Sequence, residues 1–147
     1  MTRSSAFDVF ISYAHSDEQY AKLLYRELQN RGFNCWFDRD ELDTGQWRMH
    51  IAEALRSAKC YVVILTPDAL DSSWIQFELG AAIQRSMVDR DTLIIPILLK
   101  NTTSRVIPHL LYAAQPIAAS DMRLSEVEGQ VAHRLTTFLS ARENSTQ

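Results

Sequence analysis

Glycine is scarce in this sequence. Only Gly32, Gly45, Gly80 and Gly129 occur in 147 residues. Neither G-x-G-x-x-G nor G-x-x-x-x-G-K-[ST] can be written with those positions, so glycine-rich phosphate cradles are excluded. Cysteine is scarce too. Cys35 and Cys60 form no CxxC pair, and the four histidines show no metal-ligand spacing. No metal site is expected. Both cysteines lie in apolar segments, NCWF and KCYVVIL. They could form one disulfide, but such surroundings suit buried free thiols. An excess of basic charge is missing: 15 basic residues face 18 acidic ones, for a net charge of −3. That argues against a dedicated nucleic-acid binder. Long apolar runs are missing as well. The longest, Leu93–Leu99, falls far short of the ~20 residues that span a bilayer. Residues 1–5 carry one arginine and no apolar run, unlike a signal peptide. The expectation is a cytoplasmic domain with no membrane or nucleic-acid partner.

What is present is a globular composition, 46% hydrophobic and 22% charged. The length suits one domain, expected over residues 6–142 with short tails at 1–5 and 143–147. A chain of this size buries roughly 68–70% of its unfolded surface, enough for a core without staples.

The hydrophobic period alternates between two kinds. Phe7–Tyr13 reads as a strand. Ser16 and Gln19 form a capping-box pattern that opens a helix, with Tyr20, Leu23, Leu24 and Leu28 on its apolar stripe. Gly32 stands where a helix end wants a left-handed residue. Asn34–Phe37 is a second short strand. Residues 38–46, DRDELDTGQ, are a polar loop, and 47–58 read as a helix. Cys60–Leu65 is a continuous apolar run, the mark of a strand covered on both faces. Ser73 and Gln76 form another capping box, opening a helix over 74–87. Thr92–Leu99 is a fourth strand. Pro96 within it lacks a ladder donor, which calls for a bulge or an edge position. A weak fifth strand is placed near Gln115–Ala118, and a closing helix over Leu124–Arg142 has Leu124, Val127, Val131, Leu135 and Phe138 on one stripe.

Strands alternating with helices predict the α/β class: a flavodoxin-like three-layer sandwich with a five-stranded parallel sheet, order 2-1-3-4-5, and helices on both faces. Ligands in such sheets bind outside the carboxyl ends of the strands at the switch point between strands 1 and 3. The expected walls are residues 12–17, the loop 38–47 and residues 66–78. Trp74 and Glu78 lie one helical turn apart and share a face that flanks the core stripe. The plain alternative for Glu78 is a first-turn acid on a solvated face, favoured by the helix dipole. Trp47 closes the charged loop as either a binding group or a helix anchor. His15 follows Ser12 and Tyr13; its plain reading is a solvent-facing histidine. A phosphoryl-receiver reading fails, because strand 1 runs into Ser12-Tyr13-Ala14-His15 with no acid before Asp17, and no lysine follows the fifth strand.

Four separated segments carry a further signal: FDVFISYAHSD (7–17), GFNCWFDRDELDTGQW (32–47), KCYVVILTPDALDSSW (59–74) and WIQFELGAA (74–82). Together with TLIIPILL (92–99), they resemble a TIR (Toll/interleukin-1 receptor) domain of the bacterial and plant kind. Many members of that family cleave NAD+ between nicotinamide and ribose. The resemblance implies that Glu78, in W-x-x-x-E-L, is the catalytic glutamate facing the ribose. It places Trp74 and Trp47 as aromatic contacts to the substrate, and Asp38, Asp43, Ser12, Tyr13 and His15 around the groove. NAD+ is then a consumed substrate, with no cofactor and no glycine cradle required. Nicotinamide leaves as a neutral molecule from a cationic ring. A single carboxylate facing the developing positive charge therefore suffices where ordinary glycosidases need two. The resemblance also implies self-association through the loop 38–46, a partner protein acting as sensor or effector, and a role in antiphage or immune signalling. Its alternative is a non-enzymatic adaptor working through TIR–TIR contacts. Thr44-Gly45 replaces the Pro-Gly of many relatives, and Ile75 replaces a frequent cysteine.

Overall fold

The computed structural model describes residues 8–13, 15–36, 59–67, 92–102 and 114–145. The elements are β1 (Val9–Ser12), a 3-10 turn (His15–Asp17), α1 (Glu18–Asn30), β2 (Cys35–Trp36), β3 (Cys60–Leu65), β4 (Leu93–Leu98), β5 (Ile117–Ala118) and α2 (Leu124–Ser145). The expected helices over 47–58 and 74–87 lie outside the described residues. All strand pairs are parallel, in the order β2-β1-β3-β4-β5. An α/β class with a parallel sheet is what the alternating periods predict.

Strands buried on both faces explain the unbroken apolar runs. Every residue of β1 and β3 is buried. On one face Val9, Ile11, Val62, Ile64, Ile95 and Ile97 join a core with α1 and α2. On the other, Phe10 and Tyr61 meet edge to face, ring centroids 6.2 Å apart. In α2 the stripe Val127, Val131 and Leu135 is fully buried, with Leu124 and Phe138 half-buried at its ends. This helix reaches Ser145, three residues past the expected Arg142.

Two expectations for α1 need correction. Its core stripe is Ala21, Leu24 and Leu28, while Leu23 is 41% exposed. Ala21 sets the phase, and Leu23 lies two residues, about 200° of helical rotation, away from it. The helix also starts one residue later than the Ser16–Gln19 pattern places it. Ser16 sits inside the 3-10 turn and the N-cap is Asp17, which makes no side-chain cap bond. At the other end the reading holds. Gly32 has φ +100. Its N–H donates to the Gln29 carbonyl at 2.9 Å, and the Phe33 N–H donates to that of Leu28 at 3.1 Å. This is the Schellman pattern, with Phe33 packed on the core behind it.

The two thiols cannot bridge. Cys35 and Cys60 pair with Val9 from opposite sides. Two strand spacings, about 9.6 Å, exceed the roughly 7 Å limit between Cα atoms in a disulfide. Both cysteines are buried, and neither is in a disulfide. Burial, reinforced by the charge of Asp8, pushes the Cys35 thiol up to about 12.

Pro96 is accommodated without a bulge towards β3, since β4 pairs with β3 in unbroken register from Leu93 to Leu98. The Leu93 N–H donates to the carbonyl of Lys59, just before β3, and the Leu99 N–H to that of Leu65 at its end. Alternation then turns Pro96 towards β5, whose pairing begins only at Ile97. The missing donor falls where no partner strand has started.

Candidate functional site

The carboxyl end of the sheet is stepped. Ser12, the last residue of β1, pairs with Val63, whereas β3 runs on to Leu65 level with Leu98 of β4. β1 therefore stops two residues short, about 7 Å lower. The chain after β1 fills this step with the 3-10 turn, which brings Asp17 against the residues that follow β3 and β4.

Asp17 is buried there. One carboxylate oxygen accepts the Thr66 hydroxyl at 2.6 Å, and the other accepts the Lys100 ammonium at 2.9 Å. The Asp17 side chain is 2% exposed and that of Lys100 is 57% exposed. A carboxylate this deep is retained because both oxygens are served by strong donors. Asp17 has φ −105 and ψ 14 and makes no side-chain cap bond to α1; its carboxylate is turned to Thr66 and Lys100 instead.

Lys100 reaches Asp17 from a tight turn. Lys100 and Asn101 have φ of 53 and 61, and the Thr102 N–H closes the turn on the Leu99 carbonyl at 3.0 Å. Positive φ at both central residues is the type I′ pattern. The Ser120 hydroxyl accepts the Asn101 N–H at 2.9 Å, tying this turn to the one after β5.

Of the expected site residues, Ser12, Tyr13 and His15 fall among the described ones. The structure brings them to the switch point between β1 and β3. Ser12 is 9% exposed, and Tyr13, at 4%, belongs to the core cluster. His15 opens the 3-10 turn. Asp38, Asp43, Trp47, Trp74 and Glu78 lie outside the described residues. An open depression of about 420 Å³ beside the turn is lined by Ser16, Glu18, Gln19 and Lys22. None of these four described residues is aromatic. Among the described residues no three His, Cys, Asp or Glu side chains gather as metal ligands, and no helix is long and apolar enough to cross a membrane.

Sequence reasoning named the segments 12–17 and 66–78 as walls but missed the cluster that joins them. The receiver comparison sought a lysine after the fifth strand. This chain places one after the fourth, in the Leu-Lys-Asn-Thr stretch that follows the apolar run. A lysine at that boundary, opposite an acid after β1, was the available signal.

Comparison with known proteins bears on the whole chain. Over 135 residues it is 30% identical to the 2′ cyclic ADP-D-ribose synthase AbTIR of Acinetobacter baumannii, covering 90% of this chain and 49% of that protein. It is 32% identical over 114 residues to the NAD(+) hydrolase TcpC of Escherichia coli, covering 76% and 37%. The chain thus spans about half or less of the length of these relatives. The fold is similar to the crystal structure of the TIR domain of a Toll-related receptor from Hydra magnipapillata. That match has a TM-score of 0.68 at 21% identity and covers 88% of this chain and 97% of that one. Residues 9–136 match the sequence profile of the TIR domain, and the chain belongs to that family.

Proposed function

We propose that this chain cleaves NAD+ at the bond between nicotinamide and ribose, with Glu78 as the catalytic carboxylate. The observation that carries the reading is W-x-x-x-E-L at Trp74–Leu79, in a chain whose relatives are named NAD+ hydrolase and cyclic ADP-ribose synthase. In this reading the segment after β3 supplies Glu78 and Trp74 to the carboxyl edge of the sheet, the place where α/β sheets bind ligands. The central strands β1 and β3 are buried on both faces, which supports a three-layer flavodoxin-like sandwich.

The chemistry asks little of the protein. The positive charge begins on the pyridinium and moves to the ribose as the bond lengthens. A fixed carboxylate stabilises that charge more in the transition state than in the ground state. Trp74 and Trp47 provide faces for the cationic ring. Asp38, Asp43, Ser12, Tyr13 and His15 border the groove in this assignment. Water or a hydroxyl of the ADP-ribose then captures the ribosyl cation, giving linear or cyclic ADP-ribose. No resident cofactor is needed. Self-association through residues 38–46 would bring one protomer's loop to another's groove, in cytoplasmic immune or antiphage signalling with a partner chain as sensor.

The test is nicotinamide release from NAD+. Wild type should turn over, and Glu78→Gln should lose about 10²–10³-fold or more. Equal activity in the two proteins removes Glu78 from the mechanism. A wild type inert even at assembly-promoting concentration overturns the enzymatic reading in favour of a scaffold.

A further inference from the structure

The carboxylate of Asp17 joins three strand ends. Asp17 closes the segment that carries Ser12, Tyr13 and His15. Thr66 opens the segment that carries Trp74 and Glu78. Lys100 comes from a third place, the turn after β4. The contacts are short, and the acid is 2% exposed. Lysine also adopts here a backbone conformation that L side chains disfavour, φ 53, at a turn position usually given to Gly, Asn or Asp. Strain of this kind persists only where the surroundings hold it, and it gathers at functional places. A lysine needed solely to neutralise a surface acid would not require it.

We infer that Asp17, acting through Thr66 and Lys100, is a positioning residue that fixes the chain leaving β1 against the chain leaving β3 at Thr66, the two stretches that lead into the NAD+ groove. The inference rests on the catalytic reading above. One wall leaves β1 two residues early and the other leaves β3 at full length, so the sheet ladder alone does not set their relative height. The Asp17 carboxylate bridges the step. Misplacing a catalytic group by about 1 Å costs about 10²-fold in rate, even when the mutation lies away from the chemistry. Asp17 touches no substrate in this account; it holds the chain that leads to Glu78.

Lys100→Gly separates positioning from mere stability, because it removes the ammonium while relieving the left-handed backbone. Asp17→Asn keeps the shape and an N-cap residue but lacks the charge. The readouts are kcat and KM for NAD+, melting temperature, and amide hydrogen exchange by segment. Lys100→Gly should melt within about 3 °C of wild type. Its kcat should fall about tenfold or more with KM changed less than about threefold, and Lys100→Arg should recover most of kcat. Exchange should rise at 12–17 and 66–78 together in Lys100→Gly and Asp17→Asn, and stay unchanged at 124–145. In an active wild type, an unchanged kcat in both variants overturns the inference while leaving the catalytic reading intact. If the wild type releases no nicotinamide, the catalytic reading fails by itself. Exchange then decides: coordinated loosening of the two segments supports the tie, and unchanged exchange overturns it.

Discussion

Arg31 and Glu128 offer a test of how the two described helices are held. Arg31 follows α1 and Glu128 lies in α2, 97 positions apart. The guanidinium Nη2 donates to Glu128 Oε1 at 3.1 Å, and Nε lies against Oε2 as an ion-pair contact without a second hydrogen bond. The two ends differ in exposure: 51% for the Arg31 side chain and 6% for that of Glu128. Removing the arginine should therefore cost more than removing the acid. Arg31→Met leaves a buried carboxylate without its counter-charge. Fully buried pairs lose 3–5 kcal/mol when broken this way, and surface pairs 0–1. A pair with one end in water falls between, at about 2 kcal/mol. Glu128→Leu leaves a guanidinium that water can serve and adds an apolar group to a buried stripe, so it should cost under about 1 kcal/mol. The double variant should resemble Glu128→Leu alone, because the arginine has no acid left to serve. Urea unfolding of the four proteins measures this, and Arg31→Met should melt about 4–8 °C lower. Strict additivity of the two single costs, or an Arg31→Met cost below about 0.5 kcal/mol, would refute the argument.

Two further predictions concern small side chains. Cys35, at about 12 because of burial and the Asp8 charge, should resist thiol reagents at pH 8 in the native state and react on unfolding. Its raised value stabilises the fold fully below the ordinary value of 9.0. That contribution is lost as pH climbs towards 12, at about 1.4 kcal/mol per unit. Between pH 8 and 10.5, wild type should lose about 2 kcal/mol more than Cys35→Ala in urea unfolding; parallel losses would sink this reading. Glycine to alanine should act with opposite signs at two places. Neither Gly32 nor Gly129 has an atom within 4 Å of an added Cβ, so only the backbone decides. Gly32→Ala, at φ +100, should cost about 1 kcal/mol. Gly129→Ala, inside α2, should gain about 0.5–1 kcal/mol. A common sign in thermal melts would contradict the backbone argument.

Much of the sheet was legible because its signal is local. The run Cys60–Leu65 is apolar without interruption, and it is the strand observed, residue for residue. Gly32 announced a helix end through backbone freedom alone. The errors arose where distant residues decide. Adjacent Leu23 and Leu24 made the α1 stripe ambiguous, and only packing on the sheet selects Ala21 and Leu24. The start of α1 lies one residue beyond the Ser16 pattern, at Asp17, whose carboxylate is engaged by the distant Thr66 and Lys100. The Lys100 contact spans 83 positions and has no periodic signature. Glu78 and Trp74 are a different case: their assignment comes from motif resemblance, which periodicity does not supply.

The Arg31–Glu128 ion pair also has a bearing on how the chain is made. α1 emerges from a ribosome 97 positions before its partner acid. At about 5–20 residues per second, the helix waits about 5–20 s for α2. During that interval the face of β1 carrying Val9 and Ile11 lacks the Val127, Val131 and Leu135 that later share its core. The apolar strand face therefore stays without its helical cover until the last segment is made. Docking of α2 is the step that closes this face.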